Sequence, residues 1–362
     1  MHSQQREADG VAPTAIDVHT AIDVHNHAMP LPLLEWLQGE GLADLSRSRD
    51  GIVLLDPVVS GVGKNTPLPL ARSQHDAVTR LSEMDDAGVS AHAVSMPPFL
   101  YCSNSEDAGL VGTVIARGND ELAGYVADGA NRLYGLGSVP LGFPEAADEA
   151  RRCLDELGFP GVAIGTRGGG KELDDPVNED LWALLAERNA FIFVHPSGVP
   201  DAHRQRDFYL PQLVGYPTET AISIARMIYG RVFERFELTM CLAHGGGCLP
   251  WLRGRLDLGW RRKDVAHTTE IPPSEFCKRL YYDTAVFDST LLAHLVSDMG
   301  VDRVLLGTDH PFELGDTDPV GTVRSLGLSA ADTETILWRT ADSLLASPVS
   351  TQAGVGSANH RR

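Results

Sequence analysis

Short apolar runs alternate with longer stretches of helical periodicity through the middle of the chain. The runs Ala21 to His25, Ala91 to Met96, Leu133 to Val139, Gly161 to Gly165, Phe191 to His195, Leu238 to His244, Leu280 to Ala285 and Arg303 to Asp309 read as eight buried strands. Helix-like segments separate most of them, at 73–87, 108–129, 145–157, 177–188, 218–233, 250–262 and 288–299, and a last one follows at 330–345. Strands alternating with helices imply parallel β-α units, and eight such strands predict a closed (β/α)8 TIM-like barrel of the α/β class. A doubly wound sheet would want a glycine-rich turn after its first strand, and that turn here is His25-Asn26-His27. The barrel is expected over 21–346, between extensions at 1–20 and 347–362 that are expected to be disordered. The tail, SPVSTQAGVGSANHRR, is small and polar. The leading extension carries TAIDVH at 14–19, repeated letter for letter at 20–25, so His19 reads as a decoy copy without the second histidine.

Active sites of this fold sit at the C-terminal ends of the strands, and the chemically capable residues fall there. His25 and His27 close the first strand, His195 the fifth, His244 the sixth and Asp309 the eighth. On a strand, a spacing of two sends His25 and His27 to the same face. Two neutral imidazoles converging on one point can hold a divalent metal, with His195 and Asp309 completing the set and a coordination position left for water or substrate. Each residue also has an ordinary reading: a satisfied strand-end pair for His25 and His27, a turn histidine for His195, and a cap for Asp309. His244 precedes Gly245-Gly246-Gly247, which lets backbone approach a ligand closely, and an imidazole there suits a general acid/base.

Charge narrows the partners. The 362 residues hold 30 Lys plus Arg against 49 Asp plus Glu, a net charge of -19, which argues against nucleic acid and anionic membrane. It leaves room for an acidic substrate met by a few local cations. Arg253, Arg255, Arg261 and Arg262 form a basic run, and Arg167 lies in GTRGGGK, a substrate-facing loop without Walker spacing. The five Cys show no C-x-x-C pair, no stretch approaches eighteen apolar residues, and the first residues do not pattern as a secretion signal. These features suggest a cytoplasmic protein. A serine hydrolase lacks its G-x-S-x-G, and Cys241 and Cys248 have no evident His partner.

With these residues in view, the chain from about Ile22 to about Leu345 resembles the amidohydrolase superfamily, and within it the branch of the α-amino-β-carboxymuconate-ε-semialdehyde decarboxylases. The motifs that carry the resemblance are IDVHNH, LSEMDDAGVSAHAVS, ELGFPGVAIGT, FVHP, LAHGGGCLPWLRGRLDLGW and RVLLGTDHPFELGD. The resemblance implies one catalytic zinc on His25, His27, His195 and Asp309, with His244 as acid/base. It also implies that Arg255 reaches the substrate carboxylate across a homodimer interface. The chain departs from the pattern in the substrate pocket: the branch's second substrate-binding Arg aligns near Leu68, with Lys64 and Arg72 the nearest cations, and its aromatic residue after the strand-five His-Pro is Ser197.

These readings converge on a metal-dependent, non-oxidative decarboxylase of an unsaturated, muconate-semialdehyde-like or aromatic carboxylic acid. Zn2+ is the expected metal, and Mn2+, Fe2+ and Co2+ fit the same donors. Metal-bound water and His244 would serve as acid/base, and Arg255, Arg72 and Arg167 are the candidate substrate cations. A metal-dependent hydrolase or hydratase is the alternative on the same scaffold, and a metal-free binding protein is the reading from another class.

Overall fold

The computed structural model describes residues 20–346. Of the disordered extensions expected at 1–20 and 347–362, all but Thr20 lie outside the described residues, as does the first TAIDVH copy with His19. Eight parallel strands form one sheet: β1 (Ile22–His27), β2 (Ala91–Ser95), β3 (Leu133–Gly137), β4 (Gly161–Ile164), β5 (Phe191–Val194), β6 (Thr239–Leu242), β7 (Tyr281–Asp283) and β8 (Val304–Leu305). Neighbours in the sheet are neighbours in sequence. Backbone bonds between the first and last strand regions close it: Val24 N–H to the Leu306 carbonyl at 2.9 Å, Asp309 N–H to His25 at 2.8 Å and His27 N–H to His310 at 2.9 Å. The result is the (β/α)8 barrel expected from the pattern.

Alternation along the strands decides which side chains face the barrel interior. On β5, Ile192 and Val194 pack in the cluster that holds Trp182, Ile224 and Met240, whereas Phe191 and Phe193 belong to a second cluster with Cys241, Ala243 and Leu305. Leu242 and Leu306 follow Ile192, so the odd positions of β5 to β8 face inward and the even ones meet the helices. That parity carries His195, Asp283 and Asp309 into the barrel mouth. Every residue of β1 is buried, and its pairing with β2 shifts register between Asp23 and Asn26. Such bulges re-aim side chains next to active sites.

The helices that cover the strands are α1 (Ala77–Asp86), α2 (Ala108–Ala127), α3 (Ala146–Asp155), α4 (Glu179–Glu187), α5 (Tyr216–Tyr229), α6 (Leu249–Arg262), α7 (Ser289–Met299), α8 (Ala330–Glu334) and α9 (Thr340–Leu345). The segment expected as a helix from 73 begins later. Asp76 accepts from the Val78 and Thr79 amides and so starts α1, and Arg72–Gln74 is a separate 3-10 turn. The final helical segment is interrupted by a π-turn at Thr335–Arg339 between α8 and α9. The pattern did not anticipate the insertion after β1, which holds a helix (Leu31–Gly39) and an antiparallel sheet of three short strands, Ala43–Asp44, Ile52–Leu55 and Leu68–Pro69. Leu68 is buried in that sheet.

Candidate metal centre

His25, His27, His195 and Asp309 come together at the mouth, each offering a ligand atom, with all four atoms within 4.8 Å of one another. Asp309 Oδ1 lies 3.2 Å from His25 Nε2 and 3.4 Å from His27 Nε2. All four residues are buried, and among the described residues His25 Nε2, His27 Nε2 and Asp309 Oδ1 have no hydrogen-bond partner. Buried polar atoms left unpaired are costly, so three such atoms aimed at one point call for a shared occupant. The donor set, three imidazoles and a carboxylate, suits a first-row divalent cation.

The remaining nitrogens fix the rings. His25 Nδ1 lies 2.6 Å from Asp283 Oδ2, and Asp283 Oδ1 accepts from the Gly245 amide at 2.7 Å and from the Ala285 amide at 3.2 Å. His195 Nδ1 donates to the Pro196 carbonyl at 2.9 Å, which leaves Nε2 as its donor atom toward the cluster. His27 Nδ1 is 3.3 Å from Ser95 Oγ. A histidine anchored through one nitrogen presents the other in a fixed tautomer and direction. Beneath them, Asp23 joins the first and last strand regions: its Oδ1 accepts from the His25 and Thr308 amides, and its Oδ2 from the Thr308 hydroxyl at 2.7 Å. Burial pushes the Asp23 carboxyl up to about 6 against these bonds.

The electrostatics favour positive charge at the centre. Burial drives His27 down to about 4 and His195 well below the ordinary histidine range, so both rings are neutral. Burial acts in the same direction on His25 but is outweighed by Asp309 and Asp283, which raise it to about 10. Asp309 is itself raised by burial and lowered further by His25, His244 and His27, ending well below the carboxylate range. With His25 carrying a proton between Asp283 and Asp309, two carboxylates face one imidazolium and two neutral rings, a negative balance that attracts a cation able to take the place of the proton on His25 Nε2.

His244 sits at the rim, its side chain 14% exposed, with Nε2 3.8 Å from Asp309 Oδ2. Its ring centroid is 5.0 Å from that of His195. Both His244 and Asp309 take left-handed backbone, with φ of 57° and 65°. For a residue other than glycine this conformation is strained and is found at functional sites. At His244 it breaks the outward parity of Met240 and Leu242. The turn is held by Gly247, where an added Cβ would lie 2.1 Å from the Pro217 carbonyl oxygen at a φ of 60°. A cavity of about 260 Å³ opens beside His244 between α6 and α7, lined also by Trp251, Val286 and His294. Phe312 packs on His27 and Tyr216 on His195, with centroids 5.3 and 6.0 Å apart, so aromatic rings flank the ligands.

The candidate substrate cations are dispersed. Arg72 is exposed and its Nε bonds Asp76 at 2.9 Å. Lys64 is exposed. Arg167 is half-buried after β4, its guanidinium against Gly198 and its Nε without a partner. Arg255 is exposed on α6, and no carboxylate among the described residues pairs with it, whereas Arg253 pairs with Asp298. The sequence reading missed Asp283, although a lone Asp in the inward position of the YYDTA run carries the same signal that singles out Asp309. It also missed Asp23, which stands two residues before His25 and shares the alternation that singles out His25 and His27, and Arg80, which carries no spacing signal.

Comparison with known proteins follows this geometry. The sequence profile described as "Amidohydrolase" matches residues 22–346. A 2-amino-3-carboxymuconate-6-semialdehyde decarboxylase of Dictyostelium discoideum is 37% identical over 257 residues, 69% of this chain and 71% of that one. The crystal structure of 5-carboxyvanillate decarboxylase from Sphingomonas paucimobilis superposes with a TM-score of 0.75 at 24% identity, covering 90% of this chain and 98% of that one. A dihydroxybenzoic acid decarboxylase from Polaromonas, with bound manganese and the inhibitor 2-nitroresorcinol, gives a TM-score of 0.72 at 21% identity over 91% and 97% of the two chains.

Proposed function

The chain belongs to the amidohydrolase family, and from that premise we propose how it works as a metal-dependent, non-oxidative decarboxylase of an unsaturated or aromatic carboxylic acid. The observation that carries the reading is the buried set His25, His27, His195 and Asp309, with His244 beside it. A divalent cation held by His25, His27, His195 and Asp309 would supply Lewis acidity toward substrate oxygens. Zinc is the proposed ion. Manganese is the alternative, being the ion bound in the Polaromonas enzyme.

This chain's own residues then do three things. The walls Phe312 and Tyr216 receive a planar, conjugated acid and exclude water from it. Asp309 Oδ2 faces His244 Nε2 and keeps that imidazole directed at the cluster. His244 delivers a proton to the carbon whose bond to the carboxyl group breaks, so the electron pair left behind is captured as a C–H bond while carbon dioxide departs. Arg255 is proposed to bind the substrate carboxylate of the partner subunit in a homodimer, and Arg167 to line the pocket. Support comes from Arg255 having no pairing carboxylate among the described residues and from the apolar surface around it. Trp251 is 60% exposed and Leu252, Leu258 and Ile222 are also exposed, along α6 and the adjacent α5. Burying such a patch against a second copy follows the usual logic of an isologous interface. A cytoplasmic location is part of the same proposal.

The test is the product. With muconate-like and hydroxybenzoate-like acids in 18O-labelled water, the expected result is stoichiometric carbon dioxide and no 18O in the organic product. Label in the product without carbon dioxide release would replace this reading by hydrolysis or hydration.

A further inference from the structure

Arg80 lies on α1, entirely out of solvent, in a sequence context (TRLSEMDD) that reads as a solvent-facing helix. A buried guanidinium is expensive unless its donors are all used and its charge is met. Here all three nitrogens donate: Nε bonds Tyr125 Oη at 2.7 Å and the Ser73 carbonyl at 3.2 Å, and one terminal nitrogen bonds Asn26 Oδ1 at 2.9 Å and His92 Nδ1 at 3.1 Å. The other terminal nitrogen donates to the backbone carbonyl of His27. No carboxylate among the described residues pairs with it, so the ordinary reason for burying an arginine is missing.

Its partners supply another reason. Asn26 stands between His25 and His27 on β1, and its amide also donates to the Asp23 carbonyl at 3.0 Å. Strand alternation points the Asn26 side chain away from the two histidines, so Arg80 grips β1 from behind. The carbonyl of His27 is the last on the strand, beyond which chain direction changes. His92 Nδ1 accepts from Arg80, which places the ring proton on Nε2, 3.6 Å from Asp23 Oδ2. Asp23 in turn bonds the His25 amide and both the amide and the hydroxyl of Thr308, the residue before Asp309. Hydrogen bonds through Asn26 to the Asp23 backbone, with His92 Nε2 near the Asp23 carboxylate, therefore connect Arg80 to the support beneath three of the four cluster residues, at the point where β1 carries a register shift.

We propose that Arg80 is a positioning residue for the metal centre: its guanidinium, by holding Asn26 and the His27 carbonyl, fixes the bulged end of β1 so that His25 and His27 present Nε2 to one cation. The inference rests on reading the cluster as a metal site, and the experiment separates the two. Full-length protein, Arg80→Met, Arg80→Lys and Tyr125→Phe are compared for Co2+ affinity by chelator competition, for the ligand-field absorption of bound Co2+, and for melting temperature without metal. Arg80→Met is expected to bind Co2+ about tenfold to a hundredfold more weakly, the usual effect of losing a group that supports metal ligands, with shifted absorption bands. Arg80→Lys, which keeps one or two of the donors, should recover part of the affinity. Tyr125→Phe, which leaves the grip on β1 intact, should lower the melting temperature while Co2+ affinity stays within about twofold, marking the difference between general packing and positioning. A folded Arg80→Met with parental affinity and spectrum overturns the inference. If Arg80→Met does not fold, Asn26→Ala takes its place, with weaker Co2+ binding supporting the proposal and unchanged binding overturning it. Absence of Co2+ binding by the parent protein would overturn the metal reading itself.

Discussion

Replacing Asp283 by Asn changes one atom in the interior and tests how the centre is wired. The carboxylate is acceptor to three donors: His25 Nδ1 at 2.6 Å through Oδ2, and the Gly245 and Ala285 amides at 2.7 and 3.2 Å through Oδ1. An amide can serve only one side. With its nitrogen toward His25, two N–H groups oppose unless the imidazole moves its proton to Nε2, the atom that must be free to ligate. With its oxygen toward His25, the amide nitrogen opposes the two backbone donors and leaves them buried without partners. Either orientation loses a hydrogen bond to a charged group, worth about 1.5–3 kcal/mol. At about 1.4 kcal/mol per tenfold, this corresponds to metal binding roughly ten- to a hundredfold weaker. Competition against a chromogenic chelator measures it, with circular dichroism confirming the fold. A folded Asp283→Asn variant that binds metal within about twofold of the parent would refute the claim that Asp283 sets the His25 tautomer.

Three further outcomes follow from the same geometry. The His25→Ala, His27→Ala double variant should carry no stoichiometric divalent metal by mass spectrometry of the native protein, and full occupancy would end the ligand assignment. His244→Asn, chosen because Asn tolerates left-handed backbone, should retain its metal while kcat falls by about two to four orders of magnitude; loss of metal would make His244 a ligand instead. Mixing inactive His244→Ala and Arg255→Ala chains should restore partial activity if Arg255 acts across a dimer, and no recovery despite a heterodimer seen by native mass spectrometry would return Arg255 to its own subunit.

The barrel was legible because its strands are apolar on both faces and its helices are long and periodic, signals that survive in one sequence. The gathering of His25, His27, His195 and Asp309 was legible for the same reason, since residues closing inward-facing strand ends have one place to go. Other features leave no such trace. The small sheet holding Leu68 is built from strands of two to four residues, too short for alternation to register. Arg80 follows helical spacing and looks like any surface arginine, because nothing local says that α1 turns this residue onto β1 and α2. The rim arginines were harder still. Arg72 is close to the insertion in sequence, yet the local pull of Asp76 four residues later commits it to a helix start.

Closure of the barrel gives the metal centre an unusual relation to chain order. Two of its candidate donors come from the first strand and one from just beyond the last, so a contact of a few ångströms spans almost the whole described length. During synthesis the site cannot exist until the eighth unit has emerged and docked. Fraying at either end, or release of β8, dissolves it at once. A cation bound there would consequently stabilise the native state against global unfolding by the full mass-action term, and would not bind a sub-globally opened form that has lost either end. Hydrogen exchange with and without metal should show this as a uniform slowing across the most protected amides of all eight strands, including β3 and β4, which contribute no ligand.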